Sequence, residues 1–258
     1  MARAVWFLAL AFPATRPKRV PAPTADVRFE PGVDFEPTHL IYHITVSNPG
    51  DATVREVVIR PHVVHGSFRI VDSPKSIPIL QPGTFGTASF RVDLVGEPSE
   101  VELSGRVQYR VGESKASVQG IVPPMRLDLR PPLTRPVYVT PSALKERASR
   151  SFSIQETMPL PGDAHELFKV LVSTLAAQGL EKVEEKTQRA EEEFTGQASF
   201  HGLDSHDNAY AVRIVASRKG TSTLRLLVFV QAEESLFGFF WRSREALRRA
   251  LGGPPHQP

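Results

Sequence analysis

The chain has no cysteine among its 258 residues. This absence excludes disulfides, thiolate metal sites and a cysteine nucleophile, and it fits a reducing, cytoplasmic compartment. The sequence also has no G-x-S-x-G motif, no Walker loop and no G-x-G-x-x-G motif, which are the local signatures of several hydrolase, nucleotide-binding and dinucleotide-binding sites. We therefore expect no enzymatic activity, no cofactor and no metal site.

Long hydrophobic runs are scarce. The apolar run from Ala4 to Phe12 follows Arg3, and it is far too short for a transmembrane helix. It fits a short signal segment with a basic start, and the alternative is a flexible leader. We assign residues 1–37 to this leader or signal segment, within which the proline-rich stretch Thr15–Pro37 is typical of a tether.

Neither sign of charge dominates, because 31 Lys and Arg residues stand against 28 Asp and Glu residues. The net charge of +3 and the isoelectric point of about 9.3 are too mildly basic to argue for nucleic-acid binding by themselves.

Proline, in contrast, is abundant: there are 23, and most lie before residue 162. Because proline is excluded from helix interiors, this part is predicted to be rich in strands and loops. Alternating apolar residues favour two sheets packed face to face, a β-sandwich over residues 38–130. The predicted strands are Leu40–Val46, Val54–Ile59, Ser67–Val71, Thr87–Leu94, Val101–Val111, Ser117–Val122 and Met125–Leu129.

Residues 131–150 form a proline-rich junction, and residues 151–252 are predicted to form an α+β domain of order β-α-β-β-β-α, followed by a tail, 253–258. Asp163 and Glu166 have the spacing of a helix N-cap and its N3 carboxylate, and Gly179 is a natural end for that helix. Three strands are expected between residues 193 and 231. A closing helix over Ser243–Leu251 is expected to start at Ser243 as its N-cap, with a single helix over Glu234–Leu251 as the alternative.

The most distinctive local feature is the segment Leu236-Phe-Gly-Phe-Phe-Trp-Arg242. On one continuous helix, Phe237 and Trp241 would flank Arg244 and Arg248. An aromatic ring edged by guanidinium groups suits an acidic-aromatic peptide, so these four residues are the candidate peptide-binding site. The alternative, which we favour, is that the aromatic rings pack against the sheet or the sandwich, since large aromatic side chains are usually buried.

Two histidine-containing segments hold metal-type ligands. The stretch from His201 to Asp207 has turn composition, and a turn is the favoured interpretation over a zinc site. His62 and His65 would point to opposite faces of a strand, which disfavours a shared metal ion. The paired carboxylates near Glu184 lie among basic residues and are interpreted as a solvated charged stretch.

The order of the two domains resembles the appendage, or ear, of clathrin adaptors and of the coatomer gamma subunit. The resemblance is carried by Met158–Lys169, where a short strand meets the first helix, by Glu156-Thr157 before it, and by Arg242–Leu251 as a closing helix. It implies an immunoglobulin-like β-sandwich followed by a platform domain. The pocket tryptophan of the family falls near Gln155 here, where the only nearby aromatic residue is Phe152.

The resemblance further implies a non-enzymatic module that captures short acidic-aromatic motifs of protein partners. Such a module would act in coat or vesicle-transport-like assembly, peripheral to membranes, with a separate trunk-like subunit. The sequence leaves two alternatives open. One is an exported structural or surface β-sandwich protein, motivated by the N-terminal segment. The other is a nucleic-acid-binding α+β domain, motivated by Arg242, Arg244, Arg248 and Arg249, although no specific nucleic acid is expected.

Overall fold

The computed structural model describes residues 26–64, 67–190 and 193–253, which form mostly antiparallel β-sheet with few helices. The predicted leader residues before Asp26, His65 and the end of the tail lie outside the described residues. The prediction of a β-rich fold is confirmed at this level.

The first half of the described chain consists of strands. Their bounds are β1 Arg28–Phe35, β2 His39–Asn48, β3 Val54–Val64, β4 Phe68–Ile70, β5 Lys75–Leu80, β6 Thr84–Leu94, β7 Glu100–Val111 and β8 Ser117–Asp128. They form two antiparallel sheets, of order β1-β2-β6-β4 and β5-β3-β7-β8. Inward-facing residues of both sheets, including Tyr42, Phe90 and Leu103, share one hydrophobic core. We refer to β1–β8 as the two-sheet unit.

Strand β1 corrects the prediction that residues up to Pro37 form only a leader. It pairs antiparallel with β2 from Arg28 opposite Ser47 to Phe35 opposite Leu40. Proline in this segment indicated a tether. However, β1 is an edge strand, and an edge strand tolerates Pro31 because the missing backbone N–H need not bond to a neighbouring strand. The partly buried Phe29 packs on the shared core, so tertiary burial determines the strand.

Strand β8 replaces the two strands predicted on either side of Pro123-Pro124. It runs through both prolines as an edge strand, and its pairing with β7 shifts register between Leu103 and Gly105, opposite them. A bulge at an edge accommodates residues without a backbone N–H.

The second half of the chain begins with a two-residue strand and a short helix. Its elements are β9 Arg135–Pro136, α1 Pro141–Ala148, β10 Phe152–Pro159, α2 Ala164–Ala176, β11 Glu181–Arg189, β12 Phe194–Leu203, β13 Ala209–Lys219, β14 Thr221–Val230 and α3 Leu236–Ala250. The main strands pair antiparallel in the order β10-β14-β13-β12-β11. Helices α2 and α3 cover one face of this sheet and build a second core with it. We refer to these elements as the sheet-and-helix unit.

Strand β11 was missing from the predicted order, which had three strands after the first helix rather than four. The charged stretch around Glu184 is solvated, as expected, but it also pairs with β12. Its sequence has no apolar alternation because it lies at the edge of the sheet, where most of its side chains face water.

The start and end of α2 follow the sequence prediction. The Asp163 carboxylate accepts hydrogen bonds from the backbone N–H groups of His165 and Glu166, both at 3.0 Å, which satisfies two of the free donors of the first turn. Gly179 follows the helix with φ of +79°, a conformation that glycine adopts without strain. A side chain there would also collide with the carbonyl oxygen of Thr134.

Helix α3 begins earlier than Ser243. Ser243 is buried in the middle of the helix, and its hydroxyl donates to the carbonyl oxygen of Phe239 at 2.9 Å. The predicted N-cap is therefore wrong, and the alternative of one helix through Gly238 is close to what is observed. Gly238 lies within the helix and packs closely against the backbone before the second unit. A Cβ at this position would lie 2.4 Å from the carbonyl oxygen of Leu129, so a larger residue would collide there.

Helix α3 connects the two halves of the molecule. Phe240 and Leu247 belong to the core of the sheet-and-helix unit, whereas Phe237 and Trp241 belong to the core of the two-sheet unit. Arg242 strengthens this junction, since its guanidinium donates to the carbonyl oxygens of Pro132 and Gln178, both at 2.5 Å.

None of the described helices combines the length and the apolar character required to cross a bilayer.

Candidate functional site

A groove of about 470 Å³ lies between β10 and the C-terminal end of α3. Residues from the end of β10 and the turn after it line one side, and residues from α3 and the turn after it line the other. They are Glu156, Thr157, Met158, Pro159, Leu160, Pro161, Arg244, Arg248, Leu251 and Gly253. The groove therefore joins the Met158-Pro-Leu-Pro segment and the closing helix, which are distant in sequence. It also contains two of the four predicted site residues.

Arg244 is held by a bidentate ion pair across the groove. Its Nε lies 2.5 Å from Oε2 of Glu156, and its Nη2 lies 3.0 Å from Oε1. Both side chains are mostly buried, with 11% and 18% of their surfaces exposed. Two parallel charge-assisted hydrogen bonds fix the guanidinium in position, so Arg244 connects α3 to β10 rather than presenting a free cation.

Arg248 lies one helical turn after Arg244 and is only partly buried. Within the described residues, no carboxylate oxygen comes within 4.0 Å of its guanidinium nitrogens. Leu251 and the buried Met158 lie beside it in the groove. The site thus combines a cation that has no carboxylate partner among the described residues with an apolar wall.

Phe237 and Trp241 are not in this groove, which corrects their predicted place beside the two arginines. Phe237 is fully buried, Trp241 is 9% exposed, and both pack in the core of the two-sheet unit. The rings of Phe35 and Phe237 have their centroids 6.2 Å apart. These two aromatic residues follow the packing interpretation favoured from sequence, because the helix turns this face towards the other half of the molecule.

The opposite face of the same sheet carries helix α1. A cavity of about 260 Å³ lies between this helix and the sheet, with Leu144, Ala148 and Phe229 among its apolar lining residues. Lys145 and Arg213 line it as well. Its volume is slightly below the range of roughly 300–1,000 Å³ that is common for ligand pockets, and it lies apart from the four predicted site residues.

His201 fastens the segment before α1 to the sheet. Its Nδ1 lies 2.9 Å from the carbonyl oxygen of Val137, and Nη1 of Arg147 lies 3.1 Å from its Nε2. Since a carbonyl only accepts, Nδ1 carries the proton and Nε2 accepts from the guanidinium. Burial lowers the pKa of His201, which favours this neutral form.

The expected turn covers only the end of the segment, from Asp204 to Asp207, because His201, Gly202 and Leu203 still belong to β12. The Asp204 carboxylate accepts from the backbone N–H groups of His206 and Asn208 and from the hydroxyl of Tyr210. The described residues contain no cluster of three or more His, Cys, Asp or Glu side chains arranged to hold a metal ion. The pair formed by His62 and His65 lies partly outside the described residues.

A row of Asp34, His43 and Ser89 crosses three adjacent strands of the two-sheet unit, and no sequence motif predicted it. His43 lies 2.8 Å from Oδ2 of Asp34 through Nε2 and 2.8 Å from Oγ of Ser89 through Nδ1. Hydrolytic triads depend on a dry site with an oxyanion hole. This row lies on an outer sheet face with the Asp34 side chain 73% exposed, and we assign no reaction to it.

The four arginines that motivated nucleic-acid binding do not form one free basic face. Arg242 binds backbone carbonyls at the junction, Arg244 pairs with Glu156, and Arg249 lies 3.3 Å from Glu245. Nucleic-acid binders gather free cations along one face. Of these four, Arg248 alone has neither a carboxylate nor a backbone carbonyl partner for its guanidinium among the described residues.

No protein-family model matches the chain, and no curated protein sequence matches it. Solved structures with partial likeness include native alpha-2-macroglobulin from Escherichia coli, spanning domain MG7 to the C-terminus, with 14% identity and a TM-score of 0.34 over 57% of this chain and 25% of that one. The secreted serine protease VesC from Vibrio cholerae is 12% identical, with a TM-score of 0.26 over 80% of this chain and 47% of that one.

Beta-glucosidase 3B from Thermotoga neapolitana, in complex with glucose, is 16% identical, with a TM-score of 0.20 over 41% of this chain and 17% of that one. The matched part of this chain spans less than half of the length of each of these proteins. Likenesses at these TM-scores carry no argument about fold or function.

Proposed function

We propose that this chain is a non-enzymatic, appendage-like module that captures short peptide motifs of protein partners. In this proposal the two-sheet unit corresponds to the immunoglobulin-like β-sandwich of the ear family, and the sheet-and-helix unit corresponds to its platform domain. The module acts in the cytoplasm, peripheral to membranes, in a coat or vesicle-transport-like assembly with a separate trunk-like subunit.

The observation that carries this proposal is the guanidinium of Arg248, which has no carboxylate partner among the described residues and lies beside an apolar groove. A carboxylate of a bound peptide would form charge-assisted hydrogen bonds with it. A large apolar or aromatic side chain of the same peptide would lie against Met158 and Leu251, where its burial provides binding free energy.

The groove also fits such a peptide in size and rigidity. Its volume of about 470 Å³ is within the range of roughly 300–1,000 Å³ that is common for ligand pockets. The ion pair of Arg244 with Glu156 holds the two sides of the groove together before binding, and a pre-formed site reduces the entropy lost on association. The proposed anchor is therefore the groove wall rather than Trp241.

A direct test uses the fluorescein-labelled peptide Gly-Ser-Asp-Thr-Phe-Thr-Asp-Val-Ser-Gly and a copy in which Asn replaces both Asp residues. Fluorescence anisotropy should show binding of the acidic peptide, and affinity about tenfold or more lower for the amide copy, since about 1.4 kcal/mol of lost pairing corresponds to a factor of ten. The Arg248→Glu variant should lose binding of the acidic peptide for the same reason.

Lys145→Glu is the matched control. It makes the same charge change on α1, at an exposed position on the opposite face of the sheet, and it should leave the affinity unchanged. Loss of binding on Lys145→Glu with no loss on Arg248→Glu would place the site under α1 and contradict the groove. Failure of both peptides to bind the wild-type chain, up to millimolar concentration, would contradict this form of peptide recognition.

A further inference from the structure

The sheet of the sheet-and-helix unit, of order β10-β14-β13-β12-β11, has two edge strands that differ in how well they are protected from pairing with a strand of another chain. Strands β10 and β11 each pair on one side only within this order. In β11, Glu181, Lys182, Glu184, Glu185, Lys186 and Arg189 make six of nine residues charged, and its pairing shifts register between Lys182 and Glu184. Charge and a bulge are the devices that prevent an edge from pairing with another chain.

Strand β10 has neither protection. Its sequence Phe-Ser-Ile-Gln-Glu-Thr-Met-Pro contains a single charged residue, Glu156, and this carboxylate is engaged by Arg244. Its ladder with β14 is regular from Phe152 to Pro159. Only Pro159, at its last position, lacks a backbone N–H. Within the described residues no strand pairs with the outer N–H and C=O groups of Phe152–Met158, so they form a regular edge to which another strand can pair.

The groove runs along this free edge. Consecutive residues Glu156, Thr157, Met158 and Pro159 all line it, although successive side chains of a strand point to opposite faces of its sheet. A space bordered by both sets of side chains lies beside the strand rather than over one face. The C-terminal end of α3 then forms the far wall, with Arg248 and Leu251 facing the gap.

We propose that the occupant of the groove binds as an added strand on β10, as an extended acidic segment of a partner protein. This inference rests on the proposed function, because it states how the captured peptide is held. Strand addition supplies backbone hydrogen bonds, and every second side chain of the segment points towards α3. A carboxylate at one of these positions meets Arg248, and an apolar side chain two residues away, about 6.5–7 Å along the strand, meets Leu251 and Met158.

The test is an N-methyl scan of the acidic peptide used above, with the full wild-type chain. In an added strand, alternate peptide N–H groups donate to β10 and the others point away. Methylation of one alternate set should therefore weaken binding about tenfold or more, and methylation of the other set should weaken it much less. Hydrogen exchange provides the second readout: bound peptide should slow exchange in Phe152–Met158 and leave Glu181–Arg189, the opposite edge, unchanged.

The outcomes separate this inference from the proposed function. If Arg248→Glu abolishes binding while both methylated sets bind equally and β10 gains no protection, the groove binds the peptide but strand addition is wrong. Protection of β11 instead of β10 also overturns the inference. If the acidic peptide does not bind the wild-type chain, the proposed site and its added strand fail together.

Discussion

The two units of the molecule complete their hydrophobic cores in different ways. Every fully buried member of the core in the sheet-and-helix unit comes from that unit itself, between Ile154 and Leu247. The core of the two-sheet unit, in contrast, includes Phe237 and Trp241 from α3. The C-terminal helix is thus a structural part of both units, and the first unit depends on residues that are translated more than a hundred positions later.

This difference explains why the closing segment is so aromatic. A helix that packs on one sheet needs a single apolar stripe, whereas α3 presents Phe240 to its own sheet and Phe237 and Trp241 to the neighbouring unit. The backbone of Gly238 also lies against Leu129 and Arg130. The groove lined by Arg244 and Arg248 lies at the other end of the helix, where its surface becomes charged.

The largest expected effect on stability comes from truncating one aromatic side chain of α3 in each core, Phe237 in the two-sheet unit and Phe240 in the sheet-and-helix unit. Phe237→Ala and Phe240→Ala should each lower the free energy of unfolding by about 3–5 kcal/mol, the usual cost of deleting a buried phenylalanine. Calorimetry gives the size of the loss, and hydrogen exchange shows where it acts. We expect Phe237→Ala to increase exchange mainly in β2 and β6 and Phe240→Ala mainly in β13 and β14.

One result would contradict the claim that the core of the two-sheet unit depends on α3. If Phe237→Ala leaves the exchange of β2 and β6 at the wild-type rate, the two-sheet unit does not depend on α3. Thr174→Ala, at a partly buried position on α2 that belongs to neither core, is a control for substitutions outside the cores and should change stability little.

A smaller effect is expected from the ion pair within the sheet-and-helix unit. Arg244→Met leaves the mostly buried carboxylate of Glu156 without its partner, and it should cost about 2 kcal/mol of stability, less than for a fully buried pair. The double variant Arg244→Met with Glu156→Gln should recover most of the loss, because no buried charge remains. Chemical denaturation of the three proteins measures this. A double variant no more stable than the single one would show that packing, rather than the charge, accounts for the loss.

The smallest expected effect is a pH dependence at the turn before β13. Burial alone would raise the pKa of Asp204, but hydrogen bonds from Asn208, His206 and Tyr210 outweigh it and hold this pKa below its usual range. A carboxyl with a depressed folded pKa stabilises the fold above its unfolded pKa of about 3.9, and the stabilisation is lost as the pH falls through the folded pKa. The stability difference between wild type and Asp204→Asn should therefore shrink as the pH is lowered below about 4.

Denaturation curves of the two proteins at several pH values provide the measurement. A difference that stays constant between pH 6 and pH 2, values chosen to bracket the titration of carboxyl groups, would mean that the charge of Asp204 does not contribute.

Local signals in the sequence predicted many of the elements of both units. The N-cap of α2 at Asp163 and its end before Gly179 follow from single residues whose backbone preferences are strong. Strands β6 and β7 follow from alternation of apolar residues. Edge strands were the weak point: β1 contains Pro31, β11 is highly charged, and neither has the alternation of a strand with one buried face.

The candidate site was predicted only in part. Arg244 and Arg248 lie together as their spacing on one helix requires. The other wall of the groove, Met158 to Pro161, lies more than eighty residues away in sequence, and no local pattern indicates that it meets α3. The helical spacing also could not show which face of α3 is covered by the other unit, and this decides that Phe237 and Trp241 are buried.

By itself, the sequence determined which segments form the two longer helices and the central strands, because capping, turn residues and apolar periodicity act over a few neighbouring residues. Tertiary structure alone decided three things. Helix α3 serves two cores, and Glu156 neutralises Arg244. Within the part of the chain that the structure describes, Arg248 has no carboxylate partner and the edge of β10 beside the groove pairs with no strand. The physical reason is that burial and pairing depend on which distant surfaces meet.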